Sequence, residues 1–316
     1  MHRVSAEGDG SAERADSAKG GEDGLDPDLR RWLEPLVGEV ALVRPLVGGI
    51  TGQMLQLRPT SGGEDLVVRR WRSRGPEEQE LVRRETTGLE ALTDSGLPIP
   101  RLLAADPDGS GSGLPSTMTS FLPGRVELDP ADLREWVRLL AEMLVRIHSV
   151  PPPALGTCEY MPYAQHPWLV ALGDAGLARD AHELASRAPD PSSAVLSHGD
   201  YQHFNVLWEE TDRPRIRAVV DWPTAGLADR GLDVGHCRLN LAVLFSADAA
   251  MWFLDDYERA AGVHVDPAAD VEQLLGFSLQ WPEFIPIQVA GRRTVDGPGM
   301  ARRVRETIRR TLDRAG

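Results

Sequence analysis

The stretch Ser197-His198-Gly199-Asp200-Tyr201-Gln202-His203-Phe204-Asn205-Val206-Leu207 sets polar side chains against apolar strand residues, and Val219-Val220-Asp221-Trp222 follows it. Asp200 and Asn205 lie five residues apart, and Asp221 lies sixteen residues beyond Asn205. A carboxylate beside an apolar strand is expensive to bury unpaired, so each aspartate needs a partner. Two acids and an asparagine gathered at strand ends are hard oxygen donors suited to a divalent cation. Mg²⁺ in particular takes only one or two carboxylates, with phosphate oxygens and water completing its shell. Taken singly, each of these residues could sit in a turn or cap a helix. Jointly they point to metal-assisted chemistry on phosphate.

Hydrophobic periodicity frames the elements that must position this set. Residues 206–209 and 216–221 read as two short strands joined by a turn at 211–214, which would bring Asn205 and Asp221 to neighbouring strand ends. Near the start, Leu29, Trp32, Leu33, Leu36 and Val37 recur at helical spacing after Pro27. Residues 41–45, 54–58 and 65–70 read as strands, with a glycine-rich turn over 47–53. A helix is predicted over 77–95, then strands over 101–105 and 117–122 around a Gly/Ser/Pro stretch. Residues 130–149 form a strong amphipathic pattern that Pro151-Pro152-Pro153 stops. Further helices are predicted over 168–187, 232–246, 249–261, 271–277 and 299–314. The architecture expected is α+β, with a strand-rich first part over 25–119 and a helix-rich second part over 120–316. Residues 1–24 hold almost no large apolar side chain and read as a disordered acidic tail.

Composition narrows the partners. The chain has 316 residues, of which 41% are hydrophobic and 26% charged, so a sizeable core is expected rather than wholesale disorder. No run approaches the ~18 apolar residues of a membrane span, and the N-terminal stretch lacks a secretory apolar segment. Cys158 and Cys237 are too few for a disulfide framework, which fits a cytoplasmic setting. A net charge of −14 repels nucleic acid and anionic membranes, and favours a cationic small molecule. Lys19 is the only lysine, so every other basic side chain is an arginine.

The protein kinase catalytic loop places an aspartate five residues before an asparagine, with a metal-binding aspartate after the next hairpin. His198-Gly199-Asp200 and Asp221-Trp222, standing where that loop has His-Arg-Asp and Asp-Phe-Gly, resemble the aminoglycoside phosphotransferase and choline kinase family. The resemblance runs over roughly residues 29 to 260. Gly48-Gly49-Ile50-Thr51-Gly52-Gln53 is similar to its nucleotide-covering loop and Leu66-Val67-Val68-Arg69 to its third strand. Glu85 looks like the helix glutamate that orients the strand's basic residue. Met118 to Phe121 resembles the hinge beside adenine, Leu144 to His148 the family's helix end, and Asp229 and Asp233 a later acidic signature.

This resemblance implies a bilobal, protein-kinase-like fold, with a sheet-rich N-lobe over ATP or GTP and a mainly helical C-lobe. It implies that Asp200 orients the acceptor hydroxyl, Asn205 and Asp221 hold Mg²⁺, and Arg69 grips the phosphates beside Glu85. Gly48, Gly49, Thr51 and Gly52 would cover the nucleotide, with Met118 and Ser120 at its base. The reaction implied is transfer of a γ-phosphoryl to a hydroxyl of an aminoglycoside-like acceptor, which would make this an antibiotic-resistance kinase. A choline, sugar or amino-alcohol kinase of the same fold is the first alternative, and a non-catalytic nucleotide-binding module the second. Oligomeric state is not legible.

Three positions depart from the family pattern. Arg69 stands where most kinases have lysine, and its parity with Val67 lets both face one way. Val47 occupies the first glycine position of the loop, and Ala228-Asp229-Arg230 replaces Gly-Asp-Pro. Elsewhere structural roles are expected. His198 would brace its loop, Asp229 and Asp233 would cap and open a helix, and His203, His236 and Cys237 would pack, since their spacing fits no zinc site. Trp281, Glu283 and the segment to Gln288 read equally as a pocket wall or a packed loop. The arginine-rich stretch after Gly291 reads as the solvated face of a helix.

Overall fold

The structure, a computed structural model, describes residues 25–46, 52–151, 154–158, 167–187, 194–211 and 213–316. Helix α1 (Pro27–Val37) begins where Asp26 accepts hydrogen bonds from the backbone N–H groups of Asp28 and Leu29, with Pro27 in the first turn. Its Leu29 and Leu33 are buried against a five-stranded antiparallel sheet. The strands are β1 (Val40–Pro45), β2 (Gly52–Pro59), β3 (Leu66–Trp71), β4 (Leu102–Asp106) and β5 (Ser116–Ser120), in the order β1-β2-β3-β5-β4.

Strand alternation in β3 decides what this sheet does. Leu66 and Val68 join Leu55, Leu57 and Met118 in the small core, whereas Val67 and Arg69 face the cleft beneath. Helix α2 (Pro76–Ala91) stops short of the predicted Ser95, since the chain turns there and Gly96 adopts φ 70. Its Leu89 belongs to the larger core below, so α2 braces both lobes.

That larger core is built on α3 (Leu133–His148), whose Trp136, Val137, Leu140, Leu144 and Ile147 recur at helical spacing and are buried. Asp132 caps it by accepting from the Glu135 N–H. The helix predicted over 168–187 divides into α4 (Trp168–Ala171) and α5 (Ala175–Ala185), with Gly173 at φ 80 between them. Strands β6 (Arg125–Val126), β8 (Val206–Trp208) and β9 (Ile216–Val219) form one small sheet. Strands β7 (Ala194–Ser197) and β10 (Gly226–Asp229) form a two-stranded ribbon. Each ribbon strand has only four residues, too few for an alternating pattern to stand out in the sequence.

The remaining helices are α6 (Arg230–Leu244), α7 (Ala247–Ala261), α8 (Pro267–Leu274), α9 (Trp281–Val289) and α10 (Met300–Ala315). The arginines of α10 do more than face solvent. Arg303 donates to the carbonyls of Ala242 and Val243 at the end of α6. Arg305 and Arg309 reach Asp174, Arg310 reaches Asp248, and Arg314 reaches Glu258. The basic run therefore fastens α10 across the C-lobe. Among the described residues, no helix is long and apolar enough to cross a membrane.

Candidate active site

The loop that carries Asp200 leaves β7 at Ser197 and is organised by a carboxylate that is not in the loop. Asp233, in the first turn of α6, is fully buried and accepts from Ser197 Oγ at 2.9 Å, from the N–H groups of His198 at 2.8 Å and Gly199 at 2.9 Å, and from His148 Nε2 at 3.1 Å. Burial on its own would raise this carboxyl, but the His148 hydrogen bond and the charges of His148 and His198 hold it below its usual value. Asp229 caps the same helix by accepting from Gly231 N–H. Both acids thus have the structural roles the sequence indicated.

His198 braces the loop as expected. Its Nδ1 accepts from the Asp200 N–H at 3.2 Å, which leaves Nε2–H to donate to the Val220 carbonyl at 3.0 Å. The Val220 N–H in turn donates to the Asn205 carbonyl at 2.9 Å. These bonds stitch the loop to the end of β9, where Asp221 follows. Gly199 turns the loop at φ 80, and a Cβ there would stand 2.5 Å from the Thr224 carbonyl oxygen, so only glycine fits.

Asp200 sits among donors. Gln202 Nε2 donates to its Oδ1 at 2.7 Å and Asn205 Nδ2 to its Oδ2 at 2.9 Å. His236 Nε2 lies 2.8 Å from Oδ1. Burial pushes the Asp200 carboxyl up, yet the His236 hydrogen bond and charge, helped by His198 and Asn205, keep it below the ordinary aspartate value. Asn205 directs its side-chain N–H groups at Asp200, so its side-chain oxygen Oδ1 is the atom left to meet a cation.

Asp221 adopts φ 73, a conformation that side chains other than glycine and asparagine seldom take. Its carboxylate is 38% exposed and accepts from Arg69 at 2.8 Å. Arg69 also lies 3.6 Å from Glu85, and both of those side chains are buried. Burial opposes the charge on Arg69, but the carboxylates of Asp221 and Glu85 raise its pKa. Glu85 accepts from Thr117 Oγ1 at 2.9 Å; burial and then the nearby Asp221 lift its carboxyl, against the pull of Arg69.

These groups meet in one cleft of about 770 Å³ between the lobes. Asp200, Asn205, Asp221, Arg69, Glu85, Gly52 and Ser120 all line it. A Cβ on Gly52 would stand 2.5 Å from the Arg70 carbonyl oxygen. Met118 does not line the cleft: its side chain is packed in the N-lobe core, and its backbone pairs on both sides within the sheet. Gly48, Gly49 and Thr51 lie outside the described residues.

Sequence reasoning missed one part of the cleft and left a second open between two readings. His236, read as packing, reaches Asp200, and Asn240 lines the wall one turn further along α6. His203 does pack: both ring nitrogens are buried without hydrogen-bond partners, and burial, with Arg293 and His236 nearby, lowers its pKa to about 3. The second part is α9, which contains Pro282 and Pro286 and so gives a poor helical signal. Trp281, Phe284, Ile285 and Gln288 line the cleft from one face of it, and Glu283 does not.

Residues 42–275 match the phosphotransferase enzyme family known as APH. Over 177 residues, half of this chain, it is 26% identical to mouse acyl-CoA dehydrogenase family member 10, and that match spans only 16% of the mouse protein. Among solved structures, a putative aminoglycoside phosphotransferase of Ralstonia eutropha superposes with a TM-score of 0.60 at 17% identity, covering 91% of this chain and 97% of the other. The aminoglycoside phosphotransferase APH(4)-Ia, solved as a thermostable mutant with AMP-PNP and hygromycin B, gives 0.57 at 18% identity over 92% and 99%. An ethanolamine kinase of Plasmodium vivax gives 0.50 at 11% identity over 88% and 83%. At these identities the likeness establishes the bilobal, protein-kinase-like α+β fold.

Proposed function

Because the chain belongs to the APH phosphotransferase enzyme family, and is on that ground a phosphotransferase with small-molecule kinase relatives, we propose that it moves the γ-phosphoryl of ATP to an alcohol hydroxyl through the roles that follow. The observation that carries this reading is the meeting of Asp200, Asn205, Asp221 and Arg69 in one cleft. Asp200 accepts a hydrogen bond from the acceptor hydroxyl and aims its oxygen at the γ-phosphorus. A new O–P bond forms as the bond from the γ-phosphorus to the β–γ bridging oxygen breaks, and ADP leaves with that electron pair. The hydroxyl proton passes to Asp200 late in the transfer and from there to solvent. The depressed pKa of Asp200 suits orientation better than early deprotonation, in keeping with the loose transition state of such transfers.

The donor set suits Mg²⁺: Asn205 Oδ1 and the Asp221 carboxylate would hold it, and phosphate oxygens and water would complete the shell. When bound, the ion would neutralise phosphate charge as the transfer proceeds. Arg69 would turn from Asp221 toward the phosphates and remain braced by Glu85. The N–H groups of Ser120 and Phe121 are taken by the carbonyls of Arg101 and Asp65, so the adenine edge would meet backbone at Leu122. Catalysis here is positioning plus charge neutralisation.

Purified protein with Mg-ATP and a broad alcohol panel is expected to release ADP, and Asp200→Ala to lower turnover by roughly a hundredfold or more with the fold intact by circular dichroism. Full turnover in that variant would remove Asp200 from the mechanism. An aminoglycoside-like acceptor, and with it a resistance role, is the narrower reading. The bound hygromycin B of one structural neighbour supports it, and the side chains that line the acceptor wall do not.

A further inference from the structure

Resting on the kinase reading above, we propose that the acceptor is an alcohol with an apolar body, not a polyamine. The cleft-lining residues of α9 are Trp281, Phe284, Ile285 and Gln288, spaced i, i+3, i+4 and i+7. That spacing presents a single stripe to the cleft. It holds two aromatic rings, one branched aliphatic chain and one neutral amide. Ile285 is buried in the C-lobe core and anchors the stripe, while Phe284 keeps 36% of its surface exposed in the cleft.

Charge agrees with shape. Among the described residues, the acids that line the cleft are Glu85, Asp200 and Asp221, and each already serves the phosphate end. Glu85 and Asp221 face Arg69, and Asp200 faces His236, Gln202 and Asn205. Four arginines line it too: Arg69 is paired with Asp221, Arg125 with Glu127, and Arg44 donates to Gln56, which leaves Arg292 as the cation of the acceptor wall. Arg292 closes the α9 side and donates to the carbonyls of Val289 and Gln288, and it forms no ion pair with an acid of the described residues. An acceptor bearing several ammonium groups would shed water there without gaining counter-charges, which is strongly unfavourable. An apolar body would instead cover Trp281 and Phe284 and gain from the area removed from water. A quaternary ammonium would meet Arg292 on this wall, and the described acids that line the cleft are already engaged at its other end.

The test measures ADP release with Mg-ATP and a matched acceptor set. The set is a medium-chain alcohol ending in a methyl group, the same chain ending in an ammonium group, choline, and a polyaminated aminocyclitol. The methyl-ended alcohol is expected to exceed each cationic acceptor by at least about tenfold in kcat/KM. Phe284→Glu places a carboxylate on the wall and is expected to narrow or invert that ratio. The same compounds are titrated calorimetrically against the protein with AMP-PNP, so preference is read without turnover. A cationic acceptor favoured by the unaltered protein in either measurement, or a ratio untouched by Phe284→Glu, would overturn the inference. Apolar preference in binding with no phosphate transferred to any acceptor would overturn the kinase reading, and only the cleft's preference for an apolar ligand would survive.

Discussion

His236 Nε2 lies 2.8 Å from Asp200 Oδ1, and the imidazole is almost wholly buried. A hydrogen bond to a charged carboxylate in such a setting is worth roughly 1.5–3 kcal/mol. His236→Ala is therefore expected to lower kcat by about tenfold to a hundredfold, with little change in KM for ATP. It also removes the main influence that holds the Asp200 pKa down, so the acid limb of the kcat–pH profile should move to higher pH. His236→Gln, which keeps a donor, should recover part of both. An unmoved pH limb in His236→Ala would show that the imidazole only fills space.

Arg69 serves two acids, and its loss should be felt through both. Arg69→Met leaves buried Glu85 without its counter-charge, at a cost of about 3 kcal/mol. The double variant Arg69→Met/Glu85→Gln should regain much of that stability but none of the ATP affinity. Thermal melts and nucleotide titrations separate the two effects, and additive melts would mean that the pair is not coupled.

Asp221 combines a left-handed backbone with the proposed metal carboxylate. Asparagine tolerates that conformation, so Asp221→Asn should melt within about 1 kcal/mol of the parent protein. Its affinity for Mg-ATP, measured across a Mg²⁺ titration, should nonetheless fall by about tenfold or more. Equal affinity at every Mg²⁺ concentration would take Asp221 out of the metal shell.

Asp233 predicts a pH dependence of stability. Its folded pKa lies below the unfolded value of about 3.9. The stabilisation is thus fully present above that unfolded value and disappears as pH falls through the lower, folded one. Asp233→Asn is expected to cost about 3 kcal/mol near neutrality. The gap from the parent protein should shrink on acidification, as followed by denaturant unfolding at several pH values. A gap that does not change with pH would mean that the carboxylate is not the charged hub of the loop.

Asp200, Asn205 and Asp221 were legible because they are close in sequence and framed by short apolar strands. Asp200, Asn205 and Asp221 needed only a five-residue step and a hairpin to meet. Arg69 and Glu85 came from the family resemblance, and strand parity added only that Arg69 can face the same way as Val67. What stayed hidden depends on contacts between distant segments. His236 is separated from Asp200 by a strand pair and a helix start, and on its own helix it looks like any core residue. The prolines of α9 hide its helical spacing, which left that segment readable as either a pocket wall or a packed loop. The resemblance puts Met118 at the hinge beside adenine, but its side chain packs in the N-lobe core and does not line the cleft.

Asp233 and His236 stand three residues apart on α6, on one side of the same rod. One holds the loop that bears Asp200, and the other holds Asp200 itself. A displacement of that rod carries anchor and tuner together, so their mutual alignment survives thermal breathing. The sheet above can then rise or settle over a nucleotide without detuning the carboxylate, because the jig that sets it belongs wholly to the lower body.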